Sequence, residues 1–263
     1  MIKWNPAEYA RQSSHQQAWA RELIAKLKLT GRESVLDVGC GDGKVTAELA
    51  GQISAGQVVG VDSSPEMVAF AAKTFAGQRN LRFAVADASS LPFKNQFDLV
   101  FSNAALHWIC DHRPVLAGIR RSLKTSGRIL LQMGGKGNAS QLIAVIQPLM
   151  RREDWLPYFR DFHFSYGFHG PGEYRLWLSE AGLRPTRMEL IPKLMLHDSR
   201  DAFAGWLRTT WMPYIHPVPK PLRERWLQEI VDRYLGRHPA DVEGRVTVRM
   251  VRLEVEAEAD ATR

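Results

Sequence analysis

The sequence predicts an α/β protein built on a doubly wound, mostly parallel sheet. Two observations carry that expectation. From Ser34 to Met133, short apolar runs alternate with segments of helical periodicity, and this alternation implies parallel pairing with helices on both faces. The first of those runs, "SVLDVGCGDGKVT", passes directly into glycines at every second position, Gly39, Gly41 and Gly43. Glycine weakens a strand and is poor inside a helix. At a strand-to-helix junction it does something else: the missing side chains let a ligand reach the backbone, and the helix N-terminus offers free amides.

The elements follow in order. Residues from about Pro6 to Leu29 read as one helix, with Ala18, Leu23, Ile24 and Leu27 at helical spacing. "SVLDVG" is a short buried strand and "GKVTAELA" the helix after it. "GQVVGVD" is a second strand. "SPEMVAFAAKTF" is the helix that follows it, with Ser64 placed to cap it, Pro65 at its first position and Glu66 in its first turn. "LRFAVAD" and "FDLVFSN" are the third and fourth strands, "HRPVLAGIRRSLK" the next helix and "GRILLQMG" the fifth strand.

After Gly135 the rhythm changes. Asn138 to about Gly182 is rich in aromatics, from Trp155 and Tyr158 to Tyr174 and Trp177. "LRPTRMELIPKLMLH" reads as a strand, and Asp198 to about Arg237 as mainly helical, carrying Trp206, Trp211, Tyr214 and Trp226. "RVTVRMVRLEVEAE" alternates with period two, and its charges suggest an edge or near-edge strand. The expectation is a single domain over residues 1–263. Its core covers 1–137, helical cap insertions cover 138–182 and 198–240, and the last sheet strands cover 183–197 and 245–258. Most of the late aromatics are expected to be core.

Bulk properties narrow the class. With 263 residues, 45% of them apolar and 24% charged, the chain has a globular profile. A formal charge of +7 suits an acidic ligand or simple solubility. No Lys/Arg run interleaves with aromatics, so no nucleic-acid partner is expected. Two cysteines, Cys40 and Cys110, make no disulfide framework, and no Cys/His cluster has metal-ligand spacing. The opening residues lack a signal-peptide core and no apolar stretch reaches membrane-span length. A cytoplasmic protein without a membrane span or a metal is expected.

The glycine spacing excludes two common readings. A dinucleotide fingerprint is G-x-G-x-x-G, and a P-loop ends in Gly-Lys-Ser/Thr. Here Val45 follows Lys44, so Lys44 reads as a solvated helix residue and not as a phosphate lysine. The run "VLDVGCGDG" instead resembles the first motif of class I S-adenosylmethionine-dependent methyltransferases, D/E-x-G-x-G-x-G. "VVGVDSSPEM", "VADASSLPF" and "FDLVFSNAALHW" resemble the family's second, third and fourth motifs, and "SLKTSGRILLQM" the segment entering its fifth strand. All five stand in the family's order between Val35 and Met133.

The resemblance implies a seven-stranded Rossmann-like methyltransferase sheet with its last strand antiparallel, and S-adenosylmethionine as cofactor, with S-adenosylhomocysteine as product. It implies that Gly39, Cys40, Gly41 and Gly43 form the bare backbone of the cofactor site. Asp62 would accept the ribose hydroxyls, as acidic strand ends do in dinucleotide folds. Asp87 would accept the adenine amino group, although alone it could be a solvated strand end. Ser63 and Ala88 would line the adenine slot, with Met67 on its face. Asp37 would sit below the methionine end, where one carboxylate faces an ammonium and a sulfonium.

Ligands of open parallel sheets bind beyond the carboxyl ends of the strands. Asn103, Ala104, His107 and Trp108 should therefore face the methyl group and its acceptor. His107 could be a general base, a donor to the acceptor, or structural. Trp108 reads as a wall of the site. A carboxylate acceptor is ionised at neutral pH and needs no base, whereas an amine or phenol would benefit from one.

Closer likenesses point the same way. "WNPAEYARQSSHQQAWARELIAKL", "NAALHWICDHRPVL" and "WLRTTWMPYI" resemble trans-aconitate methyltransferases. "YARQSSHQ", "SPEMVAFA" and "LHW" also resemble juvenile hormone acid methyltransferases. Both groups esterify carboxylic acids, and in that pattern Tyr9 and Gln16 close over cofactor and acceptor. The trans-aconitate group carries Gly-Leu-Arg-Pro where this chain has Trp211-Met212-Pro213. Without that arginine, a bidentate carboxylate partner, a larger or more apolar acid is favoured over a polycarboxylate. His163, His169, Arg175, Arg208 and Tyr214 could bind a carboxylate, although surface or structural roles fit each better. The expected partner is a small-molecule acid. Methylation of carbon, nitrogen or phenolic oxygen on a quinone or other metabolite is the alternative chemistry, and a cofactor-binding protein without turnover is the alternative class.

Overall fold

The computed structural model of the protein describes residues 14–260. Helix α1 (Ser14–Ala25) leads into β1 (Ser34–Val38), α2 (Lys44–Gln52), β2 (Gln57–Asp62), α3 (Pro65–Thr74), β3 (Leu81–Val85), β4 (Phe97–Asn103), α4 (Arg113–Ser122) and β5 (Leu123–Gly134). Then come α5 (Ser140–Met150), α6 (Leu156–Phe159), α7 (Pro171–Ala181), β6 (Leu183–His197), α8 (Arg200–Thr210), α9 (Met212–Ile215), α10 (Arg223–Leu235) and β7 (Val246–Ala259). The expected first helix thus ends at Ala25 and not at Leu29. Its last turn tightens as the Lys26 and Leu27 amides donate to the Leu23 and Ile24 carbonyls at 3.1 and 3.0 Å. The part expected before Ser14 lies outside the described residues.

Among the described residues the sheet has seven strands in the order β3-β2-β1-β4-β5-β7-β6. β1 pairs in parallel with β2 and β4, β2 with β3, and β4 with β5. β7 is antiparallel to β5, with Gly134 opposite Arg252 and Gln132 opposite Glu254. The chain winds outward from β1 to β3, then returns to add β4 on the other side. That reversal puts a crevice outside the carboxyl ends of β1 and β4.

Strand parity explains the two layers. Leu36, Val38, Val100, Leu131 and Met133 point to one face, where Val115, Leu116 and Ile119 of α4 and Tyr174 and Leu178 of α7 cover them. Val35, Leu99, Phe101 and Leu130 point to the other, under Leu23 and Ile24 of α1, Leu27 just beyond it, and Ala47, Leu49 and Ala50 of α2. Apolar residues face both ways, so these strands read as continuous hydrophobic runs. At the start of α3, Ser64 Oγ accepts the Met67 amide at 3.3 Å with Pro65 in the first turn, the cap that the sequence foretold.

The described chain divides into two compact units. One comprises the chain up to Lys136, Tyr166–Ile191 and the chain from Arg252 on; the other comprises Gly137–Ser165 and Pro192–Val251. The second unit is built on aromatics. Trp155, Trp206, Trp211, Tyr214, Trp226 and Tyr234 are all buried. Three of their polar atoms are tied down: Trp155 Nε1 donates to Glu229 at 2.9 Å, Trp226 Nε1 to the Tyr214 carbonyl at 2.8 Å and Tyr234 Oη to the Thr247 carbonyl at 2.9 Å, whereas the Tyr214 hydroxyl has no hydrogen-bond partner among the described residues. The indole and phenol rings contribute large buried area, and those three polar tips find acceptors.

β7 is one strand in from the β6 edge; Arg249 and Glu258 are exposed, while its buried charges are absorbed by partners. Glu254, 2% exposed, accepts Lys26 Nζ at 2.6 Å, Arg187 Nη2 at 2.7 Å and Gln132 Nε2 at 2.9 Å. Arg252 lies over the Trp19 ring, 5.4 Å from its centroid. Burial alone would raise the Glu254 carboxyl, but the Lys26, Arg187 and Gln132 hydrogen bonds outweigh it and hold the carboxyl below its ordinary value. A depressed pKa in the folded state contributes stability that is present above the ordinary value and is lost as pH falls through the depressed one. Glu254→Gln should therefore cost about 1–2 kcal/mol at pH 7, since it removes the charge of a buried acceptor whose cations, Lys26 and Arg187, are 40% and 25% exposed and so partly screened. Chemical denaturation at a series of pH values checks this, and the gap between the two proteins should narrow below pH 4.

Candidate functional site

The site begins where β1 runs out. Gly39, Gly41 and Gly43 all have positive φ, at 80°, 54° and 82°, a region that side chains disfavour. Space forbids a side chain at two of them as well. A Cβ on Gly39 would lie 2.1 Å from the Ala105 Cβ, and one on Gly43 2.7 Å from the Ala71 Cβ. The loop is pinned to β2: the Gly39 and Cys40 amides donate to the Val61 carbonyl at 2.8 and 2.9 Å. Gly43 then caps α2 by its backbone, its carbonyl accepting the Ala47 amide at 2.9 Å.

Asp62 ends β2 and braces that loop. Its Oδ2 accepts the Gly41 amide at 3.0 Å and its Oδ1 the Ser64 amide at 2.9 Å. Burial raises its carboxyl, opposed by hydrogen bonds from the Ser64, Gly41 and Ser63 amides. Asp37, 2% exposed, accepts Thr46 Oγ1 at 2.7 Å. Burial pushes its carboxyl up to about 7, Thr46 pulls it down and the Asp62 charge pushes it up. Burial likewise pushes the Cys40 thiol well up.

Two hollows open on this backbone. The larger, about 400 Å³, lies in the size range of small-molecule sites. It is lined by Gly39 and Gly41, by Asp62, Ser63 and Met67, by Asp87 and Ala88, and by Ala104 and Trp108. The smaller, about 50 Å³, is lined by Gln17, Asp37, Cys40, Lys44 and Asn103 with Gly39, Gly41 and Ala104. Of the residues expected at the cofactor, the structure brings the first seven together with Ala104 in one hollow and places Asp37, Cys40 and Asn103 around its neighbour. Gly43 lines neither; its role is the turn.

Other placements differ from expectation in detail. β3 ends at Val85, so Asp87 lies two residues beyond the strand. It caps the short turn Ala88–Ser90, Oδ1 accepting the Ser89 amide at 2.8 Å. His107 lines neither hollow. Its ring packs with Trp108, Tyr166 and Phe168 at centroid distances of 5.6, 6.3 and 6.0 Å, and its Nδ1 is buried without a hydrogen-bond partner among the described residues. Burial pushes its pKa well down, with Arg252 and His112 adding to the effect. Lys44 pairs with Asp42 at 3.2 Å. His169 bonds the Cys110 carbonyl and Arg208 pairs with Glu224. His163 and Arg175 are exposed, and Tyr214 is buried in the second unit. Tyr9 lies outside the described residues, and so does the side chain of Gln16.

Sequence reasoning missed Ser64, Glu66, Leu106 and Ile109, which also line the larger hollow. It named Ala104 as a site residue but not its backbone conformation, φ 56°. A non-glycine residue there is strained, and such strain gathers at ligand sites. No sequence signal marks an alanine for that conformation.

Comparisons with known proteins agree with this geometry. Residues 36–131 match the family model described as a methyltransferase domain. The chain is 33% identical over 229 residues to an uncharacterized methyltransferase of Schizosaccharomyces pombe, covering 82% of this chain and 84% of that one. It is 26% identical over 286 residues to the trans-aconitate 2-methyltransferase of Delftia acidovorans, covering 98% and 99%. The crystal structure of geranyl diphosphate C-methyltransferase from Streptomyces coelicolor A3(2), in complex with S-adenosyl-L-homocysteine, shares the fold with a TM-score of 0.55 at 17% identity, over 92% of this chain and 80% of that one.

The chain belongs to the class I S-adenosylmethionine-dependent methyltransferases. Within them it is related to the trans-aconitate methyltransferases. The bare glycine backbone, the hollow beside it and the acidic end of β2 fit that cofactor. When bound, it supplies a methyl group activated by a sulfonium. Asp62 and Asp87 would hold its sugar and base, and Asp37 would face its charged end.

Two predictions follow from this geometry. Gly39→Ala should lose about 1–3 kcal/mol from backbone strain alone and weaken S-adenosylhomocysteine binding more than tenfold, as read by calorimetry. The second concerns Asp37. A folded pKa of about 7 lies above the ordinary value, so its stabilising contribution is present at low pH and is lost as pH rises through 7. A cation beside it favours the ionised form. S-adenosylmethionine should therefore bind more tightly as pH rises from 6 to 8, by up to about tenfold per unit. S-adenosylhomocysteine, which lacks the sulfonium, should show a shallower profile. Parallel profiles would place Asp37 away from the sulfonium.

Proposed function

We propose that the protein transfers a methyl group from S-adenosylmethionine to a carboxylate oxygen of a small-molecule acid, giving a methyl ester and S-adenosylhomocysteine. The observation that carries this reading is the state of His107. It is the imidazole expected at the acceptor side, yet it sits among Trp108, Tyr166 and Phe168 with its pKa pushed well down by burial. An imidazole so held is a poor base at neutral pH. A carboxylic acid acceptor is already ionised there, so alignment is the main demand on the protein. The acceptor oxygen forms the new bond to the methyl carbon, and the breaking bond leaves its electron pair on sulfur. The trans-aconitate 2-methyltransferase relative supports the same acceptor class.

The acid itself is read as larger or more apolar than a tricarboxylate. Trp211 and Met212 stand where the trans-aconitate group carries an arginine, and both are buried in the aromatic core of the second unit.

The test is turnover on a panel of carboxylic acids that includes trans-aconitate and apolar monocarboxylic acids, alongside phenols, amines and quinones. The expected product releases methanol on mild alkaline treatment and forms fastest from an apolar acid. An alkali-stable product, formed from a phenol, amine or quinone in preference to every acid, would overturn the reading. His107→Gln should keep kcat on the best acid within about tenfold, whereas loss of a true general base costs about 10²–10⁴-fold.

A further inference from the structure

The wall formed by Leu106, Trp108 and Ile109 has no intrinsic reason to hold its shape. It consists of a three-residue 3₁₀ turn, Leu106–Trp108. Its local bonds are two, from the Trp108 amide to the Ala105 carbonyl at 3.0 Å and from the Ile109 amide to the Leu106 carbonyl at 2.9 Å. A turn that short is marginal in isolation. Two residues before it, Ala104 is held at positive φ, which costs free energy that surrounding contacts must offset.

Those contacts come from two histidines and one backbone amide. His112 is fully buried, and its Nε2 lies 2.9 Å from both the Leu106 and the Ile109 carbonyl oxygens. Carbonyl oxygens only accept, so Nε2 carries the hydrogen. Nδ1 is then a lone pair, and the Tyr174 hydroxyl donates to it at 2.6 Å. Tyr174 is fully buried on α7. Two more carbonyls of the loop are held from the segment before α7. The Gly167 amide donates to the His107 carbonyl at 2.8 Å, and His169 Nε2 to the Cys110 carbonyl at 2.9 Å. Gly167 must be glycine for this approach, because a Cβ there would sit 2.1 Å from the Ile109 oxygen and 2.9 Å from His112 Nε2. Burial first, and His169 second, depress the His112 pKa to about 4, in keeping with a neutral ring locked in one tautomer.

We propose that His112, oriented by Tyr174, is the positioning residue that fixes the Leu106–Ile109 wall of the cofactor hollow in its binding shape. It lines neither hollow. It acts by holding two carbonyls of the turn at once, so that Trp108 and Ile109 stay against the hollow before any ligand arrives. Preformed walls of this kind spare the ordering cost at binding.

The test compares His112→Asn, His112→Gln and Tyr174→Phe in the full chain. A Gln amide nitrogen reaches the place of Nε2 and can still donate to the turn, whereas an Asn amide stops at the place of Nδ1. His112→Asn should raise amide hydrogen exchange across residues 106–110 at least tenfold while β1 and α4 exchange as before, and should weaken S-adenosylhomocysteine binding about tenfold. His112→Gln should recover binding to within about threefold of the parent. Tyr174→Phe, which keeps the ring in the core and removes only the hydroxyl, should move exchange in the same direction by a smaller factor, and it serves if His112→Asn does not fold. The proposal is overturned if folded His112→Asn or Tyr174→Phe protein exchanges and binds like the parent. It is overturned equally if Gln fails to restore what Asn loses, or if exchange rises uniformly along the chain, as a purely structural role would require.

Discussion

The Asp62 carboxylate bridging two backbone amides is the contact on which the rest of the site depends. One oxygen holds Gly41 and the other holds Ser64, so a single side chain at the end of β2 fixes both the glycine turn after β1 and the start of α3. Charge-assisted bonds to backbone amides are among the stronger ones available. The turn they secure is one only glycine can make. Its three positive φ values and its close approach to Ala105 and Ala71 leave a bare strip of main chain where Gly39 and Gly41 line the hollows. The topological reversal between β1 and β4 then opens the crevice over that strip, and the hollow follows from the winding of the chain.

The site divides its labour between rigid and held parts. The floor is sheet and glycine turn, fixed by ladder bonds and by Asp62. The wall opposite is a short turn with a strained alanine at its root, and it keeps its shape through carbonyls captured by His112, Gly167 and His169. Aromatic rings close the back of that wall, with Trp108 against Tyr166 and Tyr166 stacked on Phe168 at 5.1 Å in both cases. A methyl transfer to an anion asks little of proton chemistry and much of alignment. A wall built this way, with a neutral imidazole in its aromatic backing, suits that demand.

What the sequence made legible was what depends on neighbours in the chain. Glycines at alternate positions, an acidic residue at the end of the next strand, a Ser-Pro-Glu helix start and alternating apolar runs are local patterns, and each appears in the structure where those patterns put it. What it hid depends on partners far along the chain. Nothing in "CDHRPVL" marks His112 as bound to a tyrosine 62 residues on. Nothing in "VRLEVEAE" marks Glu254 as buried between a lysine 228 residues earlier and an arginine 67 residues earlier; its alternation reads only as an edge or near-edge strand. His107 shows the same limit. The motif places it at the transfer side, but its burial and its depressed pKa come from Tyr166, Phe168 and Arg252, which only folding brings near.

The most direct measurement is a crystal structure of the protein grown with S-adenosylhomocysteine. The account requires the nucleoside to lie along Gly39 and Gly41 with its ribose hydroxyls on Asp62 and its base between Met67 and Ala88, the Leu106–Ile109 turn unmoved. Density for the nucleoside in any other part of the molecule, or a side chain swung across the glycine strip to fill it, would contradict the account at its root.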